Sequence, residues 1–169
     1  MLRLLYGEPR DMTCTAPYQP VRARLAIADD AATLAGFNQA MALETEARVL
    51  ADEAVLPGVE AVLRDAGHGF YVVADTGGEV VGSLLVTYEW SDWRNGRIWW
   101  IQSVYVRSEH RRRGVYRALH EFVRARARST GGVVGLRLYV ERDNAAAQRT
   151  YAALGMHETP YLVYEEMLR

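Results

Sequence analysis

One stretch, residues 102–128 with the sequence QSVYVRSEHRRRGVYRALHEFVRARAR, constrains this chain more than any other. A β-branched run, Val104-Tyr105-Val106, gives way to a short polar link, then three arginines and a glycine, and a helical pattern starts at once. Val115, Ala118, Leu119, Phe122 and Val123 fall on one apolar stripe of that helix, with Arg117, Arg124, Arg126 and Arg128 facing elsewhere. A strand must therefore enter a helix through a loop dense in positive charge. Backbone N–H groups of the turn, the positive end of a helix and fixed arginine charge converge there, which is the chemistry of a phosphate cradle. Gly114 reaches backbone angles closed to other residues and lets a ligand approach the main chain. The plainer alternative is a solvated basic helix behind an ordinary turn.

The bulk composition narrows the classes. A chain of 169 residues is long enough for one domain with a real core. Half its residues are hydrophobic and its formal charge is −1, an ordinary globular balance. No apolar run approaches the ~20 residues that span a bilayer, so no membrane partner is expected. The opening Met1-Leu2-Arg3-Leu4-Leu5 is too short, and too soon followed by Glu8-Pro9-Arg10-Asp11, to act as a secretory signal. A single cysteine, Cys14, excludes a disulfide within the chain and fits a reducing cytoplasm. The neutral total hides an asymmetry. Between Arg111 and Arg128 stand seven arginines and one acid, Glu121, whereas Glu44, Glu46, Asp52 and Glu53 cluster elsewhere and Glu89 and Asp92 add to the negative side. One region suits an anion and another a cation.

Hydrophobic periodicity and turn residues divide the chain into an irregular leader, residues 1–20, and one domain, residues 21–169. Pro9, Pro17 and Pro20 oppose regular structure in the leader, and Met12 is an alternative start. Residues 21–27 alternate as a half-buried strand, and Asp29 or Asp30 is expected to cap a helix with Leu34, Phe37 and Met41 on its apolar face. A second helix is expected near residues 59–65. Residues 70–74 and 80–90 form a hairpin about Asp75-Thr76-Gly77-Gly78, and residues 97–106 form the next strand. After the basic helix come a strand at 133–140, a short helix at 145–154 ending at Gly155, and a last strand at 161–167. The order β-α-α-β-β-β-α-β-α-β predicts a mixed α/β (α+β) sheet.

Arg111-Arg112-Arg113-Gly114-Val115-Tyr116 in that strand–loop–helix unit resembles the acetyl-CoA motif Q/R-x-x-G-x-G/A of the GNAT superfamily of N-acetyltransferases. Downstream, ERDNAAAQRTYAALGM (residues 141–156) resembles the same family's second signature, a strand followed by Asn, a short Tyr-bearing helix and a Gly. The likeness spans residues 21–167, and it implies a mostly antiparallel mixed sheet flanked by helices and acetyl-CoA as co-substrate. Tyr116 departs from the pattern, which has Gly or Ala there. By resemblance, the N–H groups of Arg112, Arg113, Gly114, Val115 and Tyr116, with Arg111 beside them, would hold the CoA pyrophosphate. Main-chain groups of Val104 and Val106 would pair with the pantetheine arm, Asn144 would contact it, and Tyr151 would be the general acid near the sulfur. A phenol with an ordinary pKa of ~10 protonates a thiolate of ~8.5 if transfer is concerted. Packing against Ala147 and Leu154 is the plainer role for Tyr151.

Direct transfer needs an unprotonated amine, so a base must take a proton from an ammonium group. Glu89 is the first candidate, with Glu44 and Glu46 second; these two also suit recognition of a cation, as do Trp90 and Asp92. Tyr88, Trp93, Trp99 and Trp100 extend the aromatic patch, and Trp faces attract ammonium groups by roughly 0.5–2 kcal/mol each. Sheet packing is the alternative, chiefly for Trp99 and Trp100. His68, His110, His120 and His157 lack metal-ligand spacing, so no metal is expected. The sequence thus points to an N-acetyltransferase acting on a small cationic primary amine. The alternatives are acetylation of a protein lysine or N-terminus and an acyl-CoA-binding module without catalysis. Nucleic-acid binding is disfavoured by the neutral total charge. The last strand and the tryptophan-rich surface would suit a homodimer.

Overall fold

The computed structural model describes residues 19–168. Most of the expected leader, with Met12 and Cys14, lies outside them. Five strands form one sheet in chain order: β1 (Arg22–Leu25), β2 (Phe70–Thr76), β3 (Glu79–Ser91), β4 (Gly96–Val106) and β5 (Val133–Arg137). The first four are antiparallel neighbours and β5 runs parallel to β4. Helices α1 (Ala31–Glu46) and α2 (Asp52–Arg64) precede β2, α3 (Val115–Ser129) makes the crossover from β4 to β5, and α4 (Ala145–Ala153) follows β5. This is the mixed, mostly antiparallel fold the sequence implied.

Strand alternation builds two cores. Val72 and Ala74 of β2 point to one face and join Leu84, Trp99, Ile101, Val115, Leu119 and Val123 under α3. Tyr71 and Val73 point to the other face and meet Leu34, Ala35 and Val59 of α1 and α2. Each fully buried aliphatic side chain contributes on the order of 2 kcal/mol. Gly77 and Gly78, at φ 63° and 84°, make the two-residue turn that closes β2 onto β3. At Gly82 a Cβ would stand 2.9 Å from the Tyr105 carbonyl oxygen and 3.0 Å from Val115 Cγ1. Its absence lets the start of α3 sit close on the sheet.

Three local expectations are corrected. Helix α2 begins at Asp52, seven positions before the expected Val59, and carries Pro57 inside it. Asp52 and Glu53 favour the helix start, and packing of Val55, Val59, Val62 and Leu63 outweighs the hydrogen bond that proline removes. Asp30 precedes α1 but makes no side-chain cap. Its carboxylate is buried and accepts instead from Arg24 at 2.7 and 2.9 Å and from the Ile27 N–H at 2.8 Å. Residues 161–167 form no strand among the described residues.

Candidate active site

The sheet opens between β4 and β5. Their parallel pairing runs from Arg97↔Val133 to Trp100↔Arg137 and stops, while β4 continues to Val106 against β3. A bulge lies just past this point, where Ser103 and Val104 together oppose Leu84 and Ser103 takes φ 47°. An extra residue in one strand bends it and sharpens its twist, which carries β4 away from β5. Nothing in the sequence signals this bulge, since serine is not a residue that seeks positive φ.

Beyond the bulge, the Arg107 N–H donates to the Val81 carbonyl on the β3 side. Main-chain groups of a strand alternate in direction, so those of Val104 and Val106 face the open side. Arg111 Nε donates to the Val106 carbonyl at 2.9 Å and ties the loop to the mouth of the opening. The loop then runs through Arg112, at φ 62°, to Gly114, at φ 80°, where α3 begins. Among the described residues no side chain caps this helix, and no acid lies in its first turn. Its first N–H groups therefore have neither a helical carbonyl nor a capping oxygen. The residues fit a ligand that ends in phosphate and carries strand-like amides.

Tyr116 turns away from the loop. Its ring packs on the core and meets Tyr151 of α4 edge-on at 5.3 Å and His120 at 6.0 Å. Burial holds its phenol far above the ordinary range, and its hydroxyl has no hydrogen-bond partner among the described residues. The departure from the motif thus leaves the cradle clear. Burial also raises the Tyr151 phenol, so that group keeps its proton at neutral pH. His120 is 2% exposed, has no partner on either ring nitrogen among the described residues, and burial lowers its pKa below the ordinary value. Asn144 caps α4, its Oδ1 accepting from the Ala147 N–H at 3.0 Å, and Gly155 follows the helix at φ 88° as expected.

Glu89 lies at the apex of the opening, on the α1–α2 side of the sheet. Arg137 donates to both its oxygens at 2.9 Å, and Trp100 Nε1 donates to one of them. Arg137 and Trp100 are the last pair of the β4–β5 ladder, and Arg137 also stacks 5.4 Å over the Trp100 ring. Sequence reasoning missed Arg137, whose signal was one charge inside the apolar run of residues 133–140. Glu89, Tyr88, Trp90 and Arg97 line a cleft of about 460 Å³ with Ala66 and Gly67. Trp90 is exposed; Trp99 is core, edge-on to Phe70 at 5.1 Å.

The other expected acids are placed differently. Glu44 accepts from Arg111 at 2.5 Å and from the Tyr105 hydroxyl at 3.1 Å, and the guanidinium holds its carboxyl below the usual range. This clips the end of α1 to the phosphate-side loop and engages both Glu44 and Arg111. Glu46 is exposed at the last position of α1. Asp92 sits in the β3–β4 turn and accepts from the Trp93 N–H at 2.8 Å. Among the described residues no cluster of potential ligands could hold a metal, and no helix is long and apolar enough to cross a membrane.

An opened strand pair with an uncapped helix at its mouth defines the class: an acetyltransferase fold. The model of the acetyltransferase (GNAT) family matches residues 32–156. The chain belongs to that family, whose enzymes are acyltransferases that use acetyl-CoA. A possible acetyltransferase from Clostridium difficile 630 is 42% identical, with a TM-score of 0.81 over 88% of this chain and 98% of that one. The aminoglycoside N-acetyltransferase AAC(6')-Iy, in complex with CoA, is 17% identical, with a TM-score of 0.74 over 91% of this chain and 99% of the other. A ribosomal-protein-alanine N-acetyltransferase from Brucella melitensis biovar Abortus 2308 is 18% identical, with a TM-score of 0.70 over 89% and 100%. The latter two share the fold. Comparison with curated proteins finds no match.

Proposed function

We propose that this acetyltransferase moves an acetyl group from acetyl-CoA to the primary amine of a small cation, in the cytoplasm. The observation that carries this reading is the end of the β4–β5 ladder, where Arg137 and Trp100 hold the Glu89 carboxylate beside the opening. The cofactor's thioester supplies the electrophilic acetyl carbon. The N–H groups of residues 112–116 hold its pyrophosphate, and the main chain of Val104 and Val106 pairs with the pantetheine arm as an added strand.

Glu89, Trp90 and the aromatic cleft draw the ammonium group in. Glu89 accepts one proton from it, the freed amine attacks the acetyl carbon to form the new N–C bond, and as the C–S bond breaks the nitrogen releases its second proton to solvent. Tyr151 gives its proton to the departing sulfur and solvent restores it. Arg137 and Trp100 hold the Glu89 carboxylate in place during this exchange.

A panel of polyamines, amino sugars, amino acids and short peptides, incubated with acetyl-CoA while thiol release is followed, tests the proposal. A small cationic amine is expected to give the fastest release. Release with peptides alone moves the acceptor to protein. No release with any amine, alongside a rise in melting temperature with acetyl-CoA, leaves a binding module without catalysis.

A further inference from the structure

Helix α4 buries none of its own residues, and the stretch 138–144 that leads into it forms neither helix nor strand. A short helix draws most of its stability from tertiary packing, so one without a buried face needs other ties to stay in place. Just past its end Leu154 is buried. Two contacts join this region to α3. The Arg124 guanidinium donates to the Leu154 carbonyl at 3.4 Å. On the helix itself, the Tyr151 ring meets the Tyr116 ring edge-on, with centroids 5.3 Å apart and planes at 66°.

Tyr116 is the second residue of α3, and it stands at the last position of the loop motif, where the pattern has Gly or Ala. Neither of those side chains has a ring to offer Tyr151. The Tyr116 ring is itself packed on the core under α3. The quadrupoles of two aromatic rings favour an edge-on meeting, so a ring anchored in the core orients the one it touches. The Tyr116 hydroxyl plays no part in this. It has no hydrogen-bond partner among the described residues and lies near His120, which has none either. A buried hydroxyl without a partner costs stability, so the ring is what this position uses.

We infer that Tyr116 is a positioning residue: its ring holds the Tyr151 phenol in place, and its main chain ties that hold to the start of α3. This role rests on Tyr151 being the acid proposed above. An acid works only where its proton lies within hydrogen-bond reach of the leaving atom, and a loosely held side chain spends little time there. The residue that departs from the loop motif thus serves the transfer step through α4.

Tyr116→Ala puts back a residue that the motif has, so by the pattern alone it should be harmless. The opposite is expected. With the fastest amine of the panel above, kcat should fall about 10-fold. Acetyl-CoA affinity should stay the same, because alanine keeps the backbone N–H. Tyr116→Phe should keep the kcat of the unaltered protein, and in a Tyr151→Phe background Tyr116→Ala should cost nothing more. Val123→Ala, which opens space in the same core on the same helix, should leave kcat unchanged. A second readout needs no acceptor. In protein labelled with fluorotyrosine, the Tyr151 fluorine resonance is assigned by its loss in Tyr151→Phe, and its shift from light to heavy water reports exposure. Exposure should rise in Tyr116→Ala and not in Tyr116→Phe. Unchanged kcat or unchanged exposure in Tyr116→Ala, or an equal loss of kcat in Val123→Ala, would overturn the positioning role and leave Tyr151 as the acid. Unchanged kcat in Tyr151→Phe would remove the acid, and the positioning role with it.

Discussion

Helices α3 and α4 both begin near the opening between β4 and β5, and they begin in opposite ways. At α4 Asn144 satisfies the Ala147 N–H, so that terminus is complete within the chain. At α3 Gly114 offers no side chain, and the N–H groups of the first turn are left for something else. The difference teaches that two helices of one fold can start in opposite ways, one left open and one closed by its own side chain; α4 meets the core through its flank, where Tyr151 sits against Tyr116.

Changes to each element can break this contrast. Tyr151→Phe keeps the ring packing against Tyr116 and removes the proton, so kcat should fall by about 100-fold with little change in acetyl-CoA affinity. Steady-state kinetics alongside a binding titration separate the two, and an unchanged kcat removes the acid role. Gly114→Asp puts a carboxylate where the phosphate is held, and acetyl-CoA should bind about 30-fold more weakly, on the order of 2 kcal/mol. Equal affinity would show that the end of α3 does not hold the cofactor.

The start of α1 sharpens the comparison further, because its acid is spent on Arg24 rather than on the helix. Arg24 holds the Asp30 carboxyl below its ordinary value. Asp30→Asn should cost about 1.5 kcal/mol at neutral pH, a figure moderated by the partial exposure of Arg24. A depressed carboxyl stabilises the fold above the unfolded pKa of ~3.9, and that contribution is lost as the pH falls through the lower folded value. Denaturation of the two proteins should therefore converge in acid. Asn144→Ala should have the smallest effect, about 1 kcal/mol of stability from the lost cap, recovered by Asn144→Ser. Recovery of stability without recovery of acetyl-CoA affinity would show that Asn144 also touches the cofactor.

The order of elements was legible because periodicity and turn chemistry are local: Gly77-Gly78, Gly155 and the apolar stripe of α3 announce themselves within a few residues. The glycine-led start of α3 was legible for the same reason, since Gly114 and the helix that follows are neighbours in the chain. Only the tertiary structure decided the rest. The Ser103 bulge exists because β4 must satisfy β3 on one side and part from β5 on the other, and no residue type records that demand. The partners of Glu89, Glu44 and Asp30 stand 48, 67 and six positions away in the chain, at Arg137, Arg111 and Arg24. A charge in a sequence shows what a residue can pair with; which partner it meets depends on how distant strands and helices are brought together.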